Sequence, residues 1–74
     1  GRSRKKEYVE ARQISMYLAQ KYTKMPASRI GKLMGGRDHS TVIHSISKVQ
    51  KQLTVNKLLL EEVTSIENSF KLKR

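Results

Sequence analysis

The chain has 74 residues, enough for one small domain and close to the lower limit for folding without a disulfide or a metal. It contains no cysteine, which excludes a disulfide framework and thiolate metal sites and fits a reducing cytoplasm. It carries 16 Lys and Arg against 6 Asp and Glu, a formal net charge of +10. This charge predicts a polyanionic partner, and in a small basic domain we favour nucleic acid over an anionic membrane surface. The longest apolar run, residues 58–60, is far too short to span a membrane, and we expect no signal peptide.

The chain opens with a basic segment, residues 1–6 (GRSRKK), that has no apolar anchor. We expect it to form a mobile basic arm. From Glu7 onward the pattern becomes helical, and an apolar stripe recurs at three- and four-residue steps through Ala11, Ile14, Leu18 and Tyr22. This spacing predicts a first helix over about residues 8–22.

Pro26 interrupts the helical pattern, because proline fits at the start of a helix but not inside one. A short second helix is predicted over residues 27–34, and the pair Gly35-Gly36 ends it, with one glycine in a left-handed conformation. Asp38 follows as a strong N-cap residue, so a third helix is predicted to begin near His39.

The third helix has two distinct faces at about 100° per residue. The apolar face consists of Val42, Ile46, Val49 and Leu53. The polar face consists of Ser40, His44, Ser47 and Lys51, flanked by Thr41 and Lys48. A fourth amphipathic helix is predicted over residues 55–71, with Thr54 or Asn56 as its cap. Its apolar stripe is Leu59, Val63, Ile66 and Phe70, and its opposite face is Glu61, Glu62, Glu67 and Asn68.

The predicted fold is all-α, a single domain over residues 1–74 without an internal repeat. Residues 27–52 combine a short helix, a glycine turn and a two-faced helix, which is the pattern of a helix-turn-helix. In such a pair the N-terminal residues of the second helix lie against base edges in the major groove. Here these residues are Asp38, His39, Ser40 and Thr41, whose side chains can donate or accept hydrogen bonds.

Two stretches of the chain are similar to one known family. Residues 35–45 (GGRDHSTVIHS) closely resemble the signature of the C-terminal DNA-binding domain of the DnaA family, the bacterial replication initiators. Residues 2–20 (RSRKKEYVEARQISMYLAQ) look like that family's basic loop and the helix after it. The resemblance extends over about residues 2–66 and implies a Trp-repressor-like helix-turn-helix preceded by a basic loop, with residues 55–71 as a closing helix.

The resemblance also implies a function. Such domains bind DnaA boxes, short asymmetric double-stranded sites with a TTATNCACA-like consensus, at the replication origin. By the matching positions, Arg4 would enter the minor groove, and Asp38, His39, Ser40 and Thr41 would read bases in the major groove. The residues that would hold phosphates are Lys5, Lys6, Arg12, Gln13, Arg37, His44 and Lys48.

The same resemblance sets further expectations. The asymmetric site implies that one domain binds as a monomer, in the bacterial cytoplasm at the nucleoid. No cofactor and no membrane partner are expected for this domain. ATP is expected only in a separate AAA+ domain outside this chain, and the full-length protein is expected to oligomerise through other domains.

The chain departs from the family pattern at two positions. Many members have threonine where this chain has Ser40, so a methyl contact to thymine is expected to be lost. Many members have proline where this chain has Ala11, and alanine lets the first helix begin earlier.

Other functions fit the residues less well. His39 and His44 are five residues apart, about 140° around a helix, and do not face one metal or catalytic site. The Gly35-Gly36-Arg37 run lacks the Walker pattern for a nucleotide phosphate. The alternative function is a protein-interaction module whose C-terminal helix docks a partner, although that apolar stripe is also needed for the domain's own core. A dimeric transcriptional repressor is an option within the DNA-binding class.

Overall fold

A computed structural model describes the backbone of residues 2–72 and the side chains of residues 4–71. It contains four α-helices in this order: α1 (Arg2–Thr23), α2 (Ala27–Leu33), α3 (His39–Val55) and α4 (Lys57–Leu72). The described residues contain no strand, so the predicted all-α class is confirmed. Helix α3 is central, because it packs against each of the other three helices.

The first helix begins earlier than the sequence predicted. Residues 2–6, expected as a mobile arm or basic loop, form the first turns of α1, and residue 1 lies outside the described residues. The expected loop is therefore wrong for residues 2–6. Arginine, lysine and glutamate are good helix formers, and Ala11 leaves its backbone N–H available for helical hydrogen bonding, which a proline would not. The side chains of Arg4, Lys5 and Lys6 are thus carried on a helix.

Two apolar clusters hold the four helices together. The larger one joins α1, α2 and α3 through Met16, Ile30, Val42 and Ile46, and the smaller one joins α1 and α4 through Ile14, Leu59 and Val63. Because α1 contacts neighbours on two sides, Met16 is buried, although the predicted stripe did not include it. Of that stripe, Ala11 and Tyr22 are exposed.

The last helix lies along the first. Asn56, one of the two predicted caps, accepts a hydrogen bond from the backbone N of Leu59 at 3.0 Å through Oδ1, and α4 begins at the next residue. Leu59 and Val63 are buried as predicted. The apolar stripe of α4 therefore closes the domain's own core.

The far end of α4 is fastened to the end of α1 by polar contacts. Lys21 Nζ lies 2.6 Å from Glu67 Oε2, and the Tyr22 hydroxyl donates to the same oxygen at 2.8 Å. The Tyr22 and Phe70 rings pack edge to face. The hydrogen bond from Lys21 holds the pKa of Glu67 below its usual value, against the opposing effect of burial. Glu67 was predicted on the face opposite the apolar stripe, and that placement is wrong.

Candidate nucleic-acid interface

The N-terminus of α3 combines a cap with a row of exposed polar side chains. Asp38 Oδ1 accepts a hydrogen bond from the backbone N of Thr41 at 2.9 Å, so Asp38 is the predicted N-cap. Hydrogen bonding from the side chain and backbone N–H of Thr41 lowers the pKa of Asp38. His39, Ser40 and Thr41 are all exposed. The carboxylate is therefore ionised at neutral pH, and three neighbouring polar side chains are open to a ligand.

The following residues fix this row to the core. Val42 is fully buried and Ile46 nearly so, as are Val49 and the side chain of Ile30 on α2. A helix terminus that is anchored within one turn cannot swing away from the domain. The exposed row is thus held rigidly, as side chains that contact base edges must be.

The turn between α2 and α3 depends on Gly31. Its carbonyl oxygen accepts hydrogen bonds from the backbone N of Gly36 at 3.0 Å and of Arg37 at 2.9 Å. A Cβ built on Gly31 would lie 2.0 Å from the Arg37 carbonyl oxygen. Gly35 and Gly36 both have positive φ, where one had been predicted. This close backbone packing determines where α3 starts.

Arg37 is half-buried in the same turn. Its Nη1 donates to the carbonyl oxygen of Met34, the C-cap residue of α2. A cation near the last carbonyls of a helix also suits the helix dipole. Part of the guanidinium is therefore used inside the protein, and its remaining N–H groups are the ones available to an external anion.

Four of the predicted phosphate-contacting residues meet at one groove between α1 and α3. The groove has a volume of about 560 Å³. Lys5 and Lys6 come from the first turns of α1, Gln13 from its middle, and Lys48 from α3. The groove also has an apolar component, formed by Val9, Ile14, Val49 and Leu59. The structure thus brings Lys5 and Lys48 to one groove, although they lie 43 positions apart in the sequence (48 − 5 = 43).

His44 and Lys48 share a second, smaller depression on α3 with Ser47, Lys51 and Gln52. Lys48 and Gln52 border both this depression and the groove, so the two are adjacent. Lys51 and Gln52 were not among the predicted site residues. The available signal was their helical spacing, because Lys51 lies three residues and Gln52 four residues after Lys48.

Two further predicted contacts, Arg4 and Arg12, also lie apart from the groove. Arg4 is exposed on the first turns of α1, and Arg12 is half-buried one position before Gln13. Neither lines the groove. Arg4 shares its end of α1 with Lys5 and Lys6, so the basic charge continues beyond the groove toward the N-terminus.

The described residues offer no metal centre and no membrane-spanning segment. Residues 4–71 contain no group of three His, Asp or Glu side chains that could hold a metal ion. Within the described part of the chain, no helix is long and apolar enough to cross a bilayer.

A short helix, a glycine turn and a capped, core-anchored second helix define a helix-turn-helix domain. The family model described as the bacterial DnaA protein helix-turn-helix matches residues 1–49. The chain belongs to this family.

Curated relatives show the same relationship. The chain is similar to the chromosomal replication initiator protein DnaA of Bacteroides thetaiotaomicron, with 50% identity over 97% of this chain and 15% of the relative. The protein of the same name from Bacteroides fragilis is 43% identical over 95% of this chain and 15% of the relative. The protein of that name from Corynebacterium jeikeium is 37% identical over 96% of this chain and 12% of the relative. The chain thus spans about 15% or less of the length of these relatives. No solved structure matches it.

Proposed function

We propose that this domain binds double-stranded DNA sequence-specifically at DnaA boxes of a bacterial replication origin and catalyses no reaction itself. The observation that carries the proposal is the N-terminus of α3. Asp38 caps the helix, His39, Ser40 and Thr41 are exposed, and Val42 is buried one position later. Relatives named chromosomal replication initiator protein support the choice of origin DNA.

The bases would be contacted by the exposed row at the start of α3. His39 and Ser40 can donate to or accept from base edges, and the Thr41 methyl can contact the methyl group of thymine. Asp38 uses Oδ1 for the cap. Its other oxygen is the acceptor that would meet a cytosine or adenine amino group. In this proposal one residue both starts the helix and reads a base.

The proposed phosphate contacts are made by basic and amide groups on α1, on α3 and in the turn before α3. Lys5, Lys6, Gln13 and Lys48 border the groove, which supports their action on one stretch of DNA backbone. His44 adjoins them through the depression on α3. The remaining proposed phosphate contacts are Arg12 and the free N–H groups of Arg37.

Arg4 would make the minor-groove contact. It is exposed on the first turns of α1, next to the two lysines of the groove. A basic segment beside a helix-turn-helix is a known means of reading both grooves at once. Because this segment is helical here, Arg4 would approach the DNA from the end of a helix instead of from an extended arm.

Several properties of the complex follow from the proposal. One domain would bind one asymmetric box as a monomer, with no cofactor and no membrane partner, in the bacterial cytoplasm at the nucleoid. ATP binding and oligomerisation would belong to other domains of the full-length initiator.

Selection of binding sites from random duplex DNA tests this function. We expect enrichment of an asymmetric sequence similar to TTATNCACA, and sedimentation of the selected complex should give one domain per site. Enrichment of a palindrome bound by two chains would instead indicate a dimeric repressor, and no enrichment would contradict sequence-specific binding.

A further inference from the structure

The groove and the depression lie side by side along α3, and their polar side chains together form one basic track. His44, Lys48 and Gln52 succeed one another at four-residue steps, so they lie along one side of the helix over about 12 Å at 1.5 Å per residue. The track then reaches Lys5 and Lys6 on α1. Its length exceeds the spacing of neighbouring phosphates, so it can accommodate more than one.

We propose that one strand of the DNA backbone follows this whole track, and that Lys51 and Gln52 hold phosphates in addition to the contacts assigned above. The inference rests on the proposed function, because it assumes that the ligand is duplex DNA. Lys51 supplies an ammonium group and Gln52 an amide N–H group, both suited to phosphate oxygens. Both residues are exposed on the same depression as Lys48.

The apolar component of the groove fits the same ligand. Val9, Ile14, Val49 and Leu59 contribute to the lining, while the lysines and amides supply polar groups. A DNA strand presents deoxyribose carbons between its phosphates. Of these four side chains only Val9 is not buried, so Val9 can contact a sugar while the lysines hold the charged oxygens.

Glu10 is the one carboxylate that lines the groove. Among the described side chains, the only ion pair is Lys21–Glu67, so Glu10 is not paired with Lys5, Lys6 or Lys48. A carboxylate in a phosphate-binding groove repels the ligand. Glu10 therefore weakens backbone binding and lowers the affinity for the box and for non-specific DNA alike.

The test compares substitutions that should weaken DNA binding with one that should strengthen it. Lys51→Gln, Gln52→Ala and Glu10→Gln are each measured on a DnaA-box duplex and on a scrambled duplex, at about 50 mM and 200 mM salt. Lys71→Gln is the matched control, because it removes the same charge near Glu67, and Lys71 borders neither the groove nor the depression. Circular dichroism establishes that each variant is folded.

We expect Lys51→Gln to weaken binding to both duplexes and to flatten the slope of log K against log salt by about 0.9. Its loss of affinity is then about 3.5-fold larger at 50 mM than at 200 mM salt. Gln52→Ala should weaken both duplexes without changing the slope, and Glu10→Gln should tighten both. Lys71→Gln should leave the slope unchanged.

The backbone track is overturned if Lys51→Gln has no larger effect on the slope than Lys71→Gln, or if Glu10→Gln fails to tighten binding. These results are separate from a failure of the proposed function. Wild-type preference for the box over the scrambled duplex tests base reading, whereas the variants test the path of the backbone.

Discussion

Asp38 Oδ1 lies 2.9 Å from the backbone N of Thr41, so two proposed base-contacting residues also form the N-cap of the recognition helix α3. The start of the helix and the proposed reading surface are therefore the same four residues. A substitution here can affect folding, DNA binding or both.

Asp38→Asn should remove part of the acid sensitivity of the fold. Since the pKa of Asp38 is lowered in the folded domain, its carboxylate stabilises the fold above the unfolded pKa, and this contribution is lost as pH falls through the folded pKa. Asparagine keeps a capping oxygen but does not titrate. Urea unfolding from neutral pH to about pH 2 should show a shallower pH dependence for Asp38→Asn, with the remainder due to groups such as Glu67. Asp38→Ala should additionally be less stable at neutral pH. An unchanged pH dependence in Asp38→Asn would contradict this role.

His39→Ala should reduce affinity for the box by about 1–3 kcal/mol and have little effect on the scrambled duplex, because it removes a base contact. The measurement is fluorescence anisotropy with both duplexes at one salt concentration. His44→Ala is the matched control, since it removes an imidazole from the same helix at a proposed phosphate contact. It should weaken binding to both duplexes similarly. Equal losses on both duplexes for His39→Ala would exclude His39 from base reading.

Lys48→Ala should weaken binding to both duplexes and flatten the salt slope by about one, because Lys48 borders both the groove and the depression. The measurement is a salt titration of the dissociation constant on each duplex. If Lys48→Ala removed only the preference for the box, the assignment of base-reading and phosphate-binding surfaces would be wrong.

Gly31→Ala should destabilise the domain by about 1–3 kcal/mol, as overpacking of a close contact does. The added Cβ would lie 2.0 Å from the backbone oxygen of Arg37, so the turn before α3 must shift. Chemical denaturation measures the stability, and the ratio of box to scrambled affinity measures the effect on reading. Ser28→Ala on the exposed side of α2 is a control and should change stability little. Wild-type stability in Gly31→Ala would show that the turn tolerates displacement.

The helix-turn-helix could be predicted because each of its signals is local. Gly35-Gly36 requires positive φ, Asp38 is a capping residue, and Val42 and Ile46 repeat at helical spacing, so short-range chemistry determines this part of the fold. The resemblance of residues 35–45 to one family added the expected function.

The features that depend on tertiary packing could not be predicted in the same way. Met16 is buried because α1 packs on two sides, and Glu67 turns toward Lys21 because α4 lies along α1. The convergence of Lys5 and Lys48 on one groove has the same origin. Two signals conflict at the start of α1. The mutual repulsion of the basic residues favours an extended arm, whereas their helix propensity favours a helix.

The most direct test of sequence-specific binding is the affinity of this domain for a DnaA-box duplex relative to a scrambled duplex of the same length, at near-physiological salt. Specific recognition by a helix-turn-helix predicts that the box is bound more tightly by a factor of about 10³ or more. Equal affinity for the two duplexes would contradict sequence-specific binding and leave only the electrostatic attraction of a domain with a net charge of +10.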